Sequence, residues 1–246
     1  MSWIGLGTGL STVAVRTDAT LSEVELLTGV GGVAPHASAQ QMMLELERRE
    51  TWVGERLFGG AGTIPVRRPY DRLGAAGVAL VGNAACQVFP AHGSGIGMGL
   101  IAGQLLAQAA ASHADPGSAA ATWDYQARFQ RQHGALLGAY DVFRRLSNRL
   151  TGDDVDRMLD AGFIDPESSR AALDQRMPPM GAALVGRTLL ASLRSPRLAA
   201  QLAPVMARMQ RVHRAYRDHP RRPDGDALRR WSHGLAALFG ERPDIP

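Results

Sequence analysis

Residues 78–99 constrain this chain more than any other segment. An apolar run, Val78-Ala79-Leu80-Val81, leads into a polar turn, a proline and a series of glycines. Small apolar residues then continue to about residue 112. Glycines let the backbone approach a ligand closely, and a helix N-terminus offers unpaired N–H groups and partial positive charge. This order predicts a buried strand over 78–81, a turn, and a helix over 95–112 that together hold a large anionic or hydroxylated cofactor.

The composition indicates a globular protein. Hydrophobic residues make up 45% of the chain and charged residues 20%, which favours a packed core over disorder. The single cysteine, Cys86, leaves no internal disulfide and no cysteine-based zinc site. The histidines show no metal-ligand spacing either, so we expect no metal. Neither a signal-like N-terminus nor an apolar run of membrane-spanning length occurs. We therefore expect a cytoplasmic protein, with membrane association left open.

All 27 basic residues are arginine, because the chain contains no lysine. Schiff-base, Walker-lysine and lysine-base chemistry are thereby excluded. The arginines concentrate toward the C-terminus, where such a face could contact acidic lipid, although a solvated helix face is the simpler interpretation. We expect no nucleic-acid partner. The residues concerned are Arg194, Arg197, Arg208, Arg211, Arg214, Arg217, Arg221, Arg222, Arg229 and Arg230.

The remaining patterns divide the chain into a mixed front part and a helical rear part. Residues 3–17 predict a hairpin or two strands. Ser22 and Glu25 form a possible capping box for a helix over 23–27. Ser38 caps a helix over 39–51 with Met42, Met43 and Leu46 inward, and Leu44 is a further candidate for that side. An edge strand is expected over 63–66. One face of the helix expected over 95–112 should point inward. The residues of that face are Ile96, Leu100, Gly103, Ala107 and Ala110.

Beyond residue 113 the patterns are almost wholly helical. Prolines and glycines separate the expected helices. The predicted helical ranges are 119–151, 153–161, 167–173, 186–193, 197–217 and 226–239.

The glycines of 82–99 do not fit a general dinucleotide turn. Gly97 and Gly99 satisfy a relaxed G-x-G-x-x-G spelling, but the preceding strand ends well upstream near Gly82. No second strand with a terminal acid follows. We therefore interpret residues 80–97 as one unit, Leu-Val-Gly-Asn-Ala-Ala, a short spacer, and then Pro-Ala-His-Gly-Ser-Gly-Ile-Gly.

This unit resembles the second FAD-binding motif of the flavoprotein hydroxylases and the geranylgeranyl-reductase-like flavoproteins. Ile64-Pro65, Arg67-Arg68-Pro69 and the lead-in at Gly77 also look like the approach to that motif. The resemblance covers residues 59–112 and extends less specifically over 3–58. It implies that FAD is bound by Gly82, Asn83, Pro90, His92, Gly93, Ser94, Gly95, Ile96 and Gly97.

Within this resemblance, two positions depart from the usual residues. Asn83 stands where the family usually has an acid that accepts a hydrogen bond from a ribityl hydroxyl, so the amide keeps the acceptor and loses the charge. His92 stands where threonine is common, beside the flavin, as a packing or flavin-contacting residue or as a proton donor. Cys86 is expected to be a small buried residue. The resemblance assigns no catalytic residue.

The family builds its FAD site from two parts, and only one of them is recognisable here. No βαβ unit with an ADP-binding glycine turn occurs in residues 1–77. Three explanations stay open: a start that lies upstream, an ADP-binding half on a separate chain, or a decayed remnant. We expect an α/β, incomplete FAD-binding fold followed by an α-helical region. The predicted division is a partial substrate sheet and helix over 1–65, the FAD motif over 66–118, and the helical region over 119–246.

The resemblance implies an FAD-dependent oxidoreductase that reduces an isoprenoid or other small apolar substrate by hydride transfer from reduced flavin. NAD(P)H is the candidate electron donor. One alternative is hydroxylation of the flavin monooxygenase type. A second alternative, from another functional class, is a non-catalytic helical interaction protein that no longer binds FAD.

Overall fold

A computed structural model describes residues 2–4, 10–17, 23–31, 38–177 and 182–245. The chain divides into two compact units. The first comprises Met1–Thr63 with Arg145–Phe163, and the second comprises Ile64–Arg144 with Ile164–Pro246. The expected order, mixed α/β first and helical afterwards, is confirmed in outline. The predicted division into 1–65, 66–118 and 119–246 stays a prediction.

The first unit contains a three-stranded antiparallel sheet. Strand β1 spans Ser2–Ile4, β2 spans Leu10–Thr17 and β3 spans Val24–Gly31, in the order β1-β2-β3. Trp3 pairs with Val13, as the two strands expected over 3–17 require, so that prediction is confirmed. The turn expected around residues 8 and 9 lies outside the described residues.

The helix expected over 23–27 is wrong, because these residues begin β3. Val24 and Leu26 are half-buried whereas Glu25 and Leu27 are exposed, which is the two-residue period of a strand. All eight residues of β3 pair with β2. This ladder outweighs the local capping signal, of which Ser22 lies outside the described residues.

Helix α1, Ala39–Arg49, confirms the helix expected after Ser38. The Ser38 side chain accepts the Gln41 N–H while the Gln41 side chain accepts the Ser38 N–H, a complete capping box. Met42 and Leu46 are buried and pack against Leu26 and Val30 of β3. Met43 is only half-buried, so its predicted inward position is confirmed in part, whereas Leu44 is exposed and its candidate inward position is wrong.

The second unit begins with short extended segments. Strands β4, Gly74–Ala75, and β5, Val78–Ala79, form a two-stranded hairpin. The buried strand expected over 78–81 is therefore too long, and Val78 is exposed. The edge strand expected over 63–66 is wrong, because the Val66 N–H bonds back to the Ile64 carbonyl and Pro65 has no N–H to offer a sheet.

The helices match the expected ones with three changes. The helix expected over 119–151 is divided by a π-helical turn, Gln130–Gly134, and ends at Ser147. The helix expected over 186–193 extends to Ala182–Arg194. The helices after α1 are α2 Ile96–Ala111, α3 Ala119–Phe129, α4 Ala135–Ser147, α5 Gly152–Ala161, α6 Pro166–Leu173, α7 Ala182–Arg194, α8 Pro196–Arg217 and α9 Gly225–Phe239. Helix α5, like α1, belongs to the first unit, and the others belong to the second except for the end of α4.

Two apolar clusters hold the second unit together. One joins the glycine-rich segment to α2, α3 and α4 through residues such as Phe89, Met98 and Phe129. The other joins α4, α8 and α9 around the fully buried Tyr216. The glycine-rich segment is thus anchored on a core of helices that follow it in the sequence.

Arg68 is fully buried in the second unit beneath the C-terminal segment. Its guanidinium donates to the equally buried Asp71, whose other carboxylate oxygen accepts the Ser232 hydroxyl. Arg68 Nε lies 3.4 Å from a carboxylate oxygen of Glu241. The Asp71 N–H donates to Asp244 at 3.2 Å. Apart from the Arg68–Asp71 pair, these contacts join residues at least 161 positions apart in the sequence.

His219 is also fully buried and is held in its neutral form. Gln126 Oε1 accepts the Leu73 N–H at 2.6 Å, so the Gln126 amide nitrogen donates to His219 Nε2 at 3.1 Å. His219 Nδ1 must therefore carry the proton, which it donates to the Pro220 carbonyl at 2.9 Å. Burial lowers the pKa of His219 to about 4, and the Arg131 cation acts in the same direction.

This histidine should make folding stability depend on pH. In the unfolded chain this histidine binds a proton near its ordinary pKa, whereas in the folded chain it does so only near a pKa of about 4. The stability that neutral His219 contributes is therefore fully present above the ordinary pKa and is lost as the pH falls toward 4. His219 alone should lower the free energy of unfolding by about 2 kcal/mol between about pH 7 and pH 5. Urea unfolding at both pH values should show a difference that is smaller by about that amount in His219→Gln, while the lowered pKa values of His92, His133 and His213 maintain the remainder. The exposed His233, replaced in the same way, serves as the control and should leave the difference intact.

Candidate functional site

The glycine-rich segment follows a winding path from β5 to α2. A single 3₁₀ turn, Gly82–Ala85, comes first, with Gly82 in the left-handed region at φ +65°. Cys86 ends the turn, also left-handed at φ +54°, a conformation rare for a residue with a side chain. Cys86 is buried, as expected, and burial raises the pKa of its thiol. The chain thus reverses its direction between Gly82 and Gln87.

A buried glutamine fixes this reversal. Gln87 Oε1 accepts the Gly82 N–H at 2.7 Å, and the Gln87 N–H donates to the Gly82 carbonyl at 2.9 Å. The Gln87 amide nitrogen donates to the Tyr125 hydroxyl at 2.8 Å, which donates to the Leu80 carbonyl at 2.7 Å. Neither side chain was predicted from the sequence to support this turn. A lone glutamine in an apolar run was the available signal, because a buried amide needs partners.

The second half of the segment closes into a small loop. The Phe89 N–H donates to the Ser94 carbonyl at 2.8 Å, and the Gly93 N–H donates to the Phe89 carbonyl at 2.9 Å. Gly93 adopts φ +75°, which a side chain would strain. Pro90 is buried, whereas Ser94 is exposed. The loop therefore presents backbone and small side chains to solvent on one side.

Asn83 lies against the start of α2. A Cβ atom placed on Gly95 would come within 3.2 Å of Asn83 Oδ1 and 3.0 Å of Val88 Cγ2. Gly99, one turn further, would place a Cβ 3.8 Å from the Gly82 Cα. Only small residues at these helix positions allow the turn to approach this closely. Asn83 is exposed, and within the described ranges its side-chain amide makes no hydrogen bond.

The N-terminus of α2 is open. Its N-cap is Gly95, which has no side chain to accept a hydrogen bond, and the Gly99 N–H makes the first helical bond, to the Gly95 carbonyl at 2.8 Å. The N–H groups of Ile96, Gly97 and Met98 therefore have no intrahelical acceptor. A Cβ on Gly97 would meet nothing within 4 Å. These donors and the helix dipole favour a negatively charged or carbonyl group at this end.

The inward face expected for α2 is wrong. Met98, Ala102 and Ala109 are buried, while Ile96 and Leu100 are 83% and 72% exposed. The apolar residues at the start of the helix thus lie beside the open N–H groups rather than in the core.

His92 occupies a different part of the loop. Its ring stacks against Phe89 at 4.7 Å between centroids, and partial burial lowers the pKa of His92, while hydrogen bonding to the Ala172 backbone opposes this effect. The structure therefore brings Gly82, Asn83 and Gly95 together at the start of α2 and directs His92 toward α6. The assignment of all nine residues to FAD stays a prediction.

In the part of the chain that the structure describes, no three His, Cys, Asp or Glu side chains are grouped so that they could hold a metal ion. No helix in that part of the chain is long and apolar enough to cross a membrane.

Comparison with known proteins gives two relatives. The chain is 28% identical over 169 residues to the digeranylgeranylglycerophospholipid reductase of Sulfolobus acidocaldarius, which covers 68% of this chain and 37% of that protein. It is 32% identical over 131 residues to the protein of the same name from Methanothrix thermoacetophila, which covers 51% of this chain and 32% of that protein. No protein-family model matches. The resemblance to geranylgeranyl reductases is confirmed, and the chain spans about a third of the length of these relatives.

Proposed function

We propose that this chain supplies the flavin-contacting part of an FAD-dependent reductase that acts on an isoprenoid or similar apolar substrate. The observation that carries the proposal is the free Asn83 amide beside the uncapped, glycine-lined start of α2. Both relatives are named as reductases of a geranylgeranyl lipid, which favours reduction over hydroxylation.

The residues present fit this cofactor. The Asn83 amide is suited to hold ribityl hydroxyls, since it both accepts and donates hydrogen bonds. The N–H groups of Ile96, Gly97 and Met98 are suited to the carbonyl edge of the flavin ring, where the helix dipole stabilises negative charge. When bound, FAD supplies hydride transfer to the substrate alkene, with NAD(P)H as the proposed donor. Gln87 and Tyr125 keep the turn in shape by bonding Gly82 and Leu80.

These contacts involve only the flavin and ribityl portions of FAD. We therefore propose that another polypeptide segment, in the same protein or in a separate chain, binds the ADP portion. This follows the two-part construction of such sites.

A titration of the purified full chain with FAD, followed by flavin fluorescence and visible absorbance, tests the proposal. Riboflavin should compete with FAD for the chain, and ADP should not, because the contacts proposed here are to ribityl and ring. If the chain bound neither FAD nor riboflavin, the proposal would be wrong and a non-catalytic interaction protein would be favoured. Competition by ADP alone would contradict the assignment of this segment to the flavin.

Gly97→Ala should weaken flavin binding by about tenfold or more, because the added methyl group projects into the space proposed for the ring, and an intrusion of that size costs about 1–3 kcal/mol. Its Cβ meets no protein atom within 4 Å, so folding should be unaffected. Gly103→Ala is the matched control. It lies in the same helix and also meets nothing within 4 Å, yet is two turns away. Equal flavin affinity in the two variants would contradict the proposed placement.

A further inference from the structure

Helix α7 carries an unusually exposed apolar stripe. Val185, Leu189, Leu190 and Leu193 follow one another along one side of the helix, and their exposed fractions are 49%, 62%, 48% and 78%. We refer to these four residues as the α7 stripe. The opposite side of the helix is the packed one, because Ala191 is buried. A contiguous apolar side of this kind marks a contact surface for a protein or a membrane.

The two helices that carry and follow the α7 stripe are rich in arginine and contain no acidic residue. Residues 182–217, which form α7, α8 and the residue between them, contain seven arginines and no aspartate or glutamate. One of them, Arg187, pairs with Glu167 of α6 at 2.6 Å. Within the ranges that the structure describes, the other six have no carboxylate partner. They include Arg194, which follows Leu193 directly, and Arg197 in the first turn of α8.

We propose that the α7 stripe, with Arg194 and Arg197 beside it, docks on the surface of a bilayer that contains anionic lipid. An interfacial helix needs an apolar side that enters the boundary between headgroups and acyl chains, and cationic residues beside it that contact the headgroups. Arg194 and Arg197 adjoin the most exposed leucine of the α7 stripe and supply those contacts. The surface lies on the membrane and does not cross it.

The charge pattern selects this occupant over two others. A second copy docked through the α7 stripe would bring its own Arg194 and Arg197 to the same surface, and such like-charge repulsion opposes association. A nucleic acid would engage the arginines through phosphates but would leave the leucines of the α7 stripe in water. An anionic bilayer satisfies both features at once. The proposal does not rest on the proposed function, because no residue of the α7 stripe belongs to the flavin motif.

Flotation of the full chain with vesicles tests the proposal. Vesicles of equal parts phosphatidylcholine and phosphatidylserine, at low salt, should bind the chain at least about tenfold better than vesicles of phosphatidylcholine alone. Leu193→Ser should weaken this binding by about tenfold, the contribution of one buried leucine. Leu57→Ser should change nothing, although Leu57 is 67% exposed and so a matched leucine outside the surface.

The charges are tested in parallel. Arg194→Gln with Arg197→Gln should weaken binding by about thirtyfold, since each arginine near an anionic surface contributes about fivefold. Arg48→Gln with Arg49→Gln removes the same charge from exposed positions of α1 and should have little effect.

Three results would overturn the proposal. The first is no flotation with the anionic vesicles. The second is binding that Leu193→Ser leaves unchanged, as for a purely electrostatic ligand such as nucleic acid. The third is self-association without lipid that Leu193→Ser abolishes. Flavin titration of Leu193→Ser should match that of the unmodified chain, so this proposal and the flavin proposal fail separately.

Discussion

Replacement of Asp71 with asparagine should lower the free energy of unfolding by about 3 kcal/mol, because it leaves a buried guanidinium without its closest countercharge. Arg68 and Asp71 are both fully buried, so water cannot replace the lost charge. Glu241 and Asp244 remain within 4 Å of the guanidinium, at 3.4 Å and 3.7 Å, and should keep the loss near the lower end of the range for buried pairs. Urea unfolding measures the change.

The chain offers a control with the same spacing. Arg229 and Asp226 form an ion pair across the same three-residue interval, but both side chains are more than half exposed. Asp226→Asn should therefore cost less than about 1 kcal/mol. Equal losses in the two variants would show that burial of the Arg68 pair does not determine its contribution. Arg68→Met combined with Asp71→Asn should cost less than the sum of the single changes, since it leaves no charge unpaired.

The sequence could not predict the Arg68 network. Arg68 and Asp71 are bound to residues at least 161 positions further along the chain, and nothing in the local pattern of 67–71 distinguishes a buried arginine from the exposed arginines that dominate this chain. A helix start, in contrast, was predictable where the local capping signal agrees with the packing, as at Ser38 before α1.

The α2 face shows a second reason for failure. Its sequence is glycine, alanine and large apolar residues on all sides, so no polar side marks the direction of solvent. The spacing of the glycines was enough to predict a turn followed by a helix. The closeness of Asn83 to Gly95, and the Gln87–Tyr125 support, depend on how the turn packs on α3, which the local sequence does not encode.

A second large loss of stability is expected from a substitution at a buried glycine. Gly138→Ala should destabilise the protein by about 3 kcal/mol, because the added Cβ would overlap the Tyr216 ring, which overpacks the core. That Cβ would stand 2.8 Å from Tyr216 Cδ2 and 3.0 Å from Val212 Cγ1, in addition to a closer contact with Cε2. Tyr216 and Val212 are fully buried, so neither side chain has space to move aside.

Gly234→Ala provides the comparison for Gly138→Ala. Gly234 is likewise interior to a helix, α9, but a Cβ there would meet nothing within 4 Å. Because alanine favours helix over glycine, Gly234→Ala should stabilise the protein by up to about 1 kcal/mol. Thermal or urea unfolding of both variants measures the opposite signs. If Gly138→Ala were also stabilising, α4 and α8 could not be packed through the Tyr216 ring, and the anchoring of the glycine-rich segment on this helical core would have to be reconsidered, since α4 belongs to both apolar clusters.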